Sequence, residues 1–261
     1  MMIEKIKPFK KSIFLAGILL TAVFLSWNFF LNSPAGCYQK IFTIGSSVCH
    51  QIPSHSFTFG SVQFPVCARC AGLYLGSFIG LVYAFLSDNK KGIPKTGYLI
   101  LLAILFVFWA GDGINSFVND FLNKPILYQT TNLTRLITGY GMGLVMSTAL
   151  ATLFNISIWN SGNNTALLDR IDQVIRYALL CAISSLLLFT NQPVLFQIAG
   201  YVAIVTVVSI ISLLYTIFWI IASKKENQFT GWKDLGMFLL AGYATAIGQV
   251  LLLAALRNRI L

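Results

Sequence analysis

The stretch LFQIAGYVAIVTVVSIISLLYTIFWIIAS, residues 195–223, carries no charged side chain and is followed at once by Lys224 and Lys225. About 20 apolar residues in a helix cross the hydrocarbon core of a bilayer. A helix this apolar on every face belongs in lipid or deep inside a large protein. Six further runs come near the same length: Ser12–Leu31, Ala71–Ser87, Thr96–Phe117, Leu133–Ile158, Gln173–Thr190 and Asp234–Leu256.

The composition excludes a water-soluble domain. The 261 residues are 57% hydrophobic and 10% charged, with a mean hydropathy of +0.77. Soluble domains carry roughly 25% charged residues. The expected fold is therefore all-α, a polytopic integral membrane bundle of about seven transmembrane helices. Its first partner is the lipid bilayer. The formal net charge of +10 does not point to nucleic acid, because the basic residues sit in short clusters between apolar runs and form no stripe with interleaved aromatics.

Those clusters predict an orientation. Lys5, Lys7, Lys10 and Lys11 precede the first run, Lys90, Lys91 and Lys95 follow the second, and Lys224, Lys225 and Lys233 follow the sixth. All three fall on one side of an alternating chain, which the positive-inside bias makes cytoplasmic. The N-terminus is then cytoplasmic, in what we read as a prokaryotic cell membrane. Asn32–Ala71, Val118–Asn132 and the turn at Asn191–Pro193 lie outside, and the near-neutral Asn160–Asp172 loop does not contribute. Arg257 and Arg259 also fall outside, against the trend. Pro34-Ala-Gly-Cys37 after the first run resembles a lipoprotein signal, but Pro34 stands where an aliphatic residue is usual. We read an uncleaved first helix, and a single membrane domain over 1–261 with no internal repeat.

Four of the five cysteines, Cys37, Cys49, Cys67 and Cys70, and both histidines, His50 and His55, fall in the outer segment after the first run. Cys181 sits in an apolar run and reads as a small buried residue. Pro65 suits a helix entry, which places Cys67 and Cys70 on a first helical turn, where residues i and i+3 share a face. A helix N-terminus lowers thiol pKa, and Arg69 adds positive charge. Two chemistries follow. Cys49, Cys67 and Cys70 with His50 or His55 make a Cys3His tetrahedral metal site, with zinc as the first candidate and copper or iron as others. Alternatively, Cys67 and Cys70 exchange electrons with a Cys37–Cys49 pair, the layout used by quinone-linked disulfide-generating membrane enzymes. Two plain disulfides stapling the outer loop are the third possibility.

Ionisable groups at membrane depth are functional candidates because burying them unpaired is costly. Asp112 lies about two-thirds along the third run. Arg135 opens the fourth run, with Asn132 a turn earlier. An Asp112–Arg135 ion pair is the expected arrangement, with a small polar or anionic ligand on Arg135 and Asn132 or a proton path through Asp112 as its functional forms. Gly72, Gly76 and Gly80 in the second run, and Gly139 and Gly143 in the fourth, have the spacing that lets helix backbones touch. Packing of those two helices would bring the C-x-x-C turn, Arg135 and Asp112 together at the outer end. Gln249 reads as an interhelix hydrogen-bonding group.

Cys49-His50-Gln51-x-Pro53, Ser56-Phe57, Pro65-Val66-Cys67-Ala68-Arg69-Cys70-x-Gly72-x-Tyr74-x-Gly76, Gly111-Asp112-Gly113 and Asn132-x-x-Arg135-x-x-Thr138-Gly139 together resemble the bacterial and archaeal membrane family catalogued as domain of unknown function 2085. The resemblance covers roughly residues 41–152 and leaves the additional helices of 170–261 outside. It implies a multi-helix membrane protein with no established activity. It also implies Arg where His55 stands, which favours His50 as the shared ligand, and it leaves out Cys37. Both points favour a Cys3His site at Cys49, His50, Cys67 and Cys70. The alternatives are a quinone-linked thiol–disulfide oxidoreductase using Cys67 and Cys70, and a small-solute or ion transporter with structural cysteines. The sequence leaves open whether the protein is an enzyme.

Overall fold

A computed structural model describes residues 2–87, 89–122, 127–190 and 192–260, with side chains between Leu15 and Arg257. Asn191 and the side chains of Lys5, Lys7, Lys10, Lys11 and Arg259, all used in the orientation argument, lie outside the described residues.

The order of elements is α1 (Met2–Asn32), α2 (Cys37–Ser46), a 3-10 turn (Pro53–His55), β1 (Thr58–Phe59), β2 (Val62–Gln63), α3 (Ala68–Leu86), β3 (Lys90–Gly92), α4 (Thr96–Leu122), α5 (Asn132–Ile158), β4 (Asn163–Ala166), α6 (Ile171–Phe189), α7 (Pro193–Ala222) and α8 (Trp232–Ile260). Seven of these, all the helices but α2, are long and apolar enough to cross a membrane, matching the seven runs read from the sequence. Helix α2 was not among them. At 10 residues it rises only about 15 Å, half of the hydrocarbon core. It lies at the cysteine end instead, with Ile41 and Ile44 packed against the core around Cys49.

The expected contact between the two glycine-bearing helices is the centre of the bundle. A Cβ on Gly72 of α3 would collide with the Leu136 carbonyl oxygen of α5, and one on Gly139 of α5 with the Arg69 carbonyl of α3. Only glycine allows backbones to come this close. Helix α4 packs against α5, and α7 bridges α3, α5 and α8, with α1 leaning on α8.

The two ends of the bundle differ. Away from the cysteines, β3 pairs in parallel with β4, the Lys91 ammonium donates to the Trp159 carbonyl, and the Asn227 N–H donates to the Ser157 carbonyl at 3.0 Å. The connections after α3, α5 and α7 are thereby joined, and the lysines at 90, 91, 224 and 225 share that end. Arg257 lies at the other.

Candidate metal centre and the polar network beneath it

The cysteine segment is folded by its own polar residues. A hairpin, Thr58–Phe59 against Val62–Gln63, returns the chain so that Pro65–Cys67 runs beside Cys49–Gln51. The Gln51 side-chain amide donates to the carbonyls of Phe42 and Pro65, both at 2.8 Å. The Gln63 amide donates to the Gln51 carbonyl at 2.8 Å and to Ser56 Oγ at 3.1 Å. Gln51 itself adopts a left-handed φ of 54°. Gly45 of α2 meets the Pro65 carbonyl where a Cβ would not fit. From the far end of the chain, the Arg257 guanidinium donates to the carbonyls of Ser46 at 2.9 Å, Cys49 at 2.6 Å and His50 at 3.0 Å. The Ser46 carbonyl ends α2, where a cation is favourable, and the three bonds together give this basic residue a structural reason to break the charge trend.

Within that frame Cys49, Cys67 and Cys70 place their sulfurs within 4.8 Å of one another. Cys67 is the N-cap of α3 and Cys70 lies on its first turn, as the C-x-x-C spacing predicts. Cys49 and Cys67 are buried, sealed by Phe64 and Val66. The Cys49 sulfur accepts the backbone N–H of Cys67 at 3.1 Å and that of Gln51 at 3.4 Å. Hydrogen bonding with Cys67 pushes the Cys49 thiol up to about 11. The complementary bonds, from Cys49 first, then Cys70, with a further one from His50, hold Cys67 below the usual thiol range.

His50 stands beside the three sulfurs but outside their 4.8 Å group. Its Nδ1 accepts the Ile52 N–H at 3.0 Å, so the neutral ring carries its proton on Nε2. His55 packs edge-on against His50, ring centroids 5.5 Å apart, and its Nε2 lies 3.2 Å from Asp120. Burial, followed by the nearby Arg135 charge, lowers the His55 pKa. Cys37 is exposed, and among the described residues no disulfide forms. Cys37 is the first residue of α2 and Cys49 lies three residues beyond its last, so the roughly 15 Å helix stands between them.

Asp112 is buried, but its partner corrects the sequence expectation. The ion pair is with Arg69, not Arg135. Arg69 Nε and Nη2 reach Asp112 Oδ2 at 3.0 and 2.6 Å, and Nη2 also donates to the Asp112 carbonyl at 3.0 Å. Arg69 reaches from α3 to α4, while both helices pack against α5. Tyr128 donates to Asp112 Oδ1 at 2.6 Å and Thr138 to Oδ2 at 3.3 Å. Burial, and then donation to Asp112, push the Tyr128 phenol up to about 12, so it stays a donor. Asn115, one turn on, donates to the Tyr128 carbonyl and Thr130 Oγ1 at 2.8 and 2.9 Å. Arg135 turns elsewhere, donating to Asn132 Oδ1 at 3.0 Å and Ser116 Oγ at 2.8 Å. Asn132 in turn donates to the carbonyls of Ser54 and Ser56 at 3.4 and 3.3 Å.

The expected convergence is therefore present at the cysteine end of the bundle, with Arg69, Arg257, Gln51 and Tyr128 as members whose roles sequence reasoning missed. Arg69 sits between the two cysteines of the motif, and Arg257 was visible as a basic residue at the wrong end.

The profile of the family described as a predicted membrane protein, DUF2085, matches residues 49–149. An uncharacterized protein of Methanothermobacter thermautotrophicus is 37% identical over 103 residues, which is 39% of this chain and 84% of that protein. The chain belongs to the DUF2085 family. A second uncharacterized protein, from Methanocaldococcus jannaschii, is 32% identical over 117 residues, 44% of this chain and 68% of that protein. No solved structure matches. The matched DUF2085 stretch runs from Cys49 through most of α5. It holds the three clustered cysteines, Arg69, Asp112 and Arg135, while Arg257 lies beyond it.

Proposed function

We propose that this DUF2085 protein is a metal-binding protein of a prokaryotic cell membrane, with its N-terminus in the cytoplasm and its metal centre on the outer side. Cys49, Cys67 and Cys70 are the thiolate ligands, and zinc is the metal that suits them best. The observation that carries this reading is the group of three sulfurs within 4.8 Å, two of them buried. Tetrahedral zinc with Zn–S bonds near 2.3 Å sets its sulfurs about 3.8 Å apart, within that range. The hydrogen bonds that hold Cys67 below the usual thiol range favour its thiolate over the thiol. His50 is the fourth ligand, binding through Nε2 once its ring proton moves to Nδ1 and the hydrogen bond from the Ile52 N–H is released. Three thiolates and a divalent cation leave one negative charge, which suits an end of the bundle where Arg69, Arg135 and Arg257 gather.

The test is metal analysis of purified protein kept reduced. The expected result is about one zinc per chain in the wild type, none in Cys67→Ser or Cys70→Ser, and weaker retention in His50→Ala. Wild-type protein that carries no transition metal and takes none up on dialysis against zinc overturns the reading.

A further inference from the structure

A second pair of metal-ligating groups meets beside the sulfur cluster. The His55 Nε2 lies 3.2 Å from one Asp120 carboxylate oxygen and 3.3 Å from the other. That is wider than the roughly 2.7–2.9 Å of a close charge-assisted hydrogen bond. A zinc ion with bonds of about 2.0–2.1 Å to a nitrogen and an oxygen, at a near-tetrahedral angle, holds those two atoms about 3.3 Å apart. An ion can therefore take the place of the ring proton with little movement of either side chain.

The two ligands stand on opposite walls of a cavity. His55 ends the Pro53–His55 turn, which Asn132 holds by donating to the Ser54 and Ser56 carbonyls on either side of it. Asp120 stands near the end of α4. Between them lies a cavity of about 480 Å³, lined by Ile52, Ser54, His55, Asn119, Asp120 and Gln129. The Asp120 side chain is 43% exposed and that of His55 10%, so an ion entering from solvent meets the carboxylate first and the imidazole behind it. The amide oxygens of Asn119 and Gln129, and water, suit its remaining positions. Behind His55 stands His50, ring centroids 5.5 Å apart, and His50 in turn reaches Cys67. A line of donors thus runs from the cavity to the sulfurs. Arg135 sets a positive charge near His55 and opposes tight binding there. Weak, exchangeable binding is what a point of entry requires.

We propose that His55 and Asp120 form an entry site, which takes a zinc ion from this cavity and passes it by way of His50 to Cys49, Cys67 and Cys70. Capture releases one proton, from the His55 ring to water. The inward step is driven by the stronger hold of three thiolates on zinc than of one imidazole and one carboxylate. That step rests on the metal reading of the sulfur cluster, whereas capture at His55 and Asp120 does not.

The experiment is equilibrium dialysis of the full reduced chain in detergent against zinc. A second arm mixes metal-free protein with Co²⁺ and follows the thiolate–cobalt absorption in time. Cys67→Ser should take up a weak zinc equivalent that purification removes. Adding Asp120→Asn or His55→Gln to that variant should weaken its affinity by about tenfold or more. In the chain with all its cysteines, Asp120→Asn should slow the rise of the thiolate–cobalt absorption by about tenfold or more, and Asp120→Glu should restore it. Asp120 is exposed, so its variants serve if His55→Gln fails to fold. A Cys67→Ser chain with no weak equivalent, or with one that Asp120→Asn leaves unchanged, overturns the entry site. Loading of Asp120→Asn at the wild-type rate overturns the inward passage. A wild type that shows the weak equivalent and no tight one overturns the sulfur-centre reading, and the passage with it, while capture at His55 and Asp120 stands.

Discussion

Helices α4 and α5 are neighbours of equal length, 27 residues each, and both are apolar enough to span a membrane. In their most apolar windows α5 buries 61% of its positions and α4 only 6%. Helix α5 is marked by Gly139 and Gly143, which admit α3 to backbone contact. Helix α4 presents Ile104, Val107 and Phe108 outward, and of its residues only Leu102, Asp112, Asn115 and Ser116 are buried. Hydrophobicity therefore places a helix in the bilayer, while small residues and polar side chains decide what it touches there. Lipid competes equally for any Leu or Ile face, so packing and polar partners supply the selectivity. Helix α4 is held at one end by Asp112, Asn115 and Ser116, and α5 along much of its length by shape.

That contrast can be broken in graded ways. Gly139→Leu drives a side chain into the Arg69 backbone and should cost about 3 kcal/mol or more, read as loss of monodisperse protein after extraction. Arg69→Ala leaves the Asp112 carboxylate, whose side chain is 0% exposed, without its partner. A loss of about 3–5 kcal/mol is expected. Asp112→Asn should cost less, because the Arg69 side chain keeps 15% of its exposure and some contact with water. Equal losses in the two variants would contradict the deeper burial of the Asp112 end of the pair. Ile104→Ala, on the lipid face of α4, should change stability by no more than about 0.5 kcal/mol in the same unfolding assay.

Much of this was legible in the sequence, for definite reasons. Long uncharged runs such as 195–223 have no soluble alternative, so the spans could be read directly. The spacing of Gly72, Gly76, Gly139 and Gly143 pointed to the right pair of helices, and C-x-x-C to a shared face. Helix α2 escaped notice because ten residues give too short an apolar pattern. The partner of Asp112 was misassigned because spacing along a chain does not say which neighbour a long arginine reaches. Arg69 reaches from α3 to Asp112 of α4, while both helices pack against α5. Arg257 was seen as an exception to the charge trend, and its three carbonyl partners lie more than two hundred residues earlier, beyond any local pattern.

X-ray absorption at the zinc edge of the metal-loaded protein tests the proposed centre most directly. The account predicts three sulfurs near 2.3 Å and one nitrogen near 2.0 Å around each zinc, with the nitrogen contribution lost in His50→Ala. A first shell of oxygen and nitrogen alone, or a spectrum that does not change in Cys67→Ser, would contradict it.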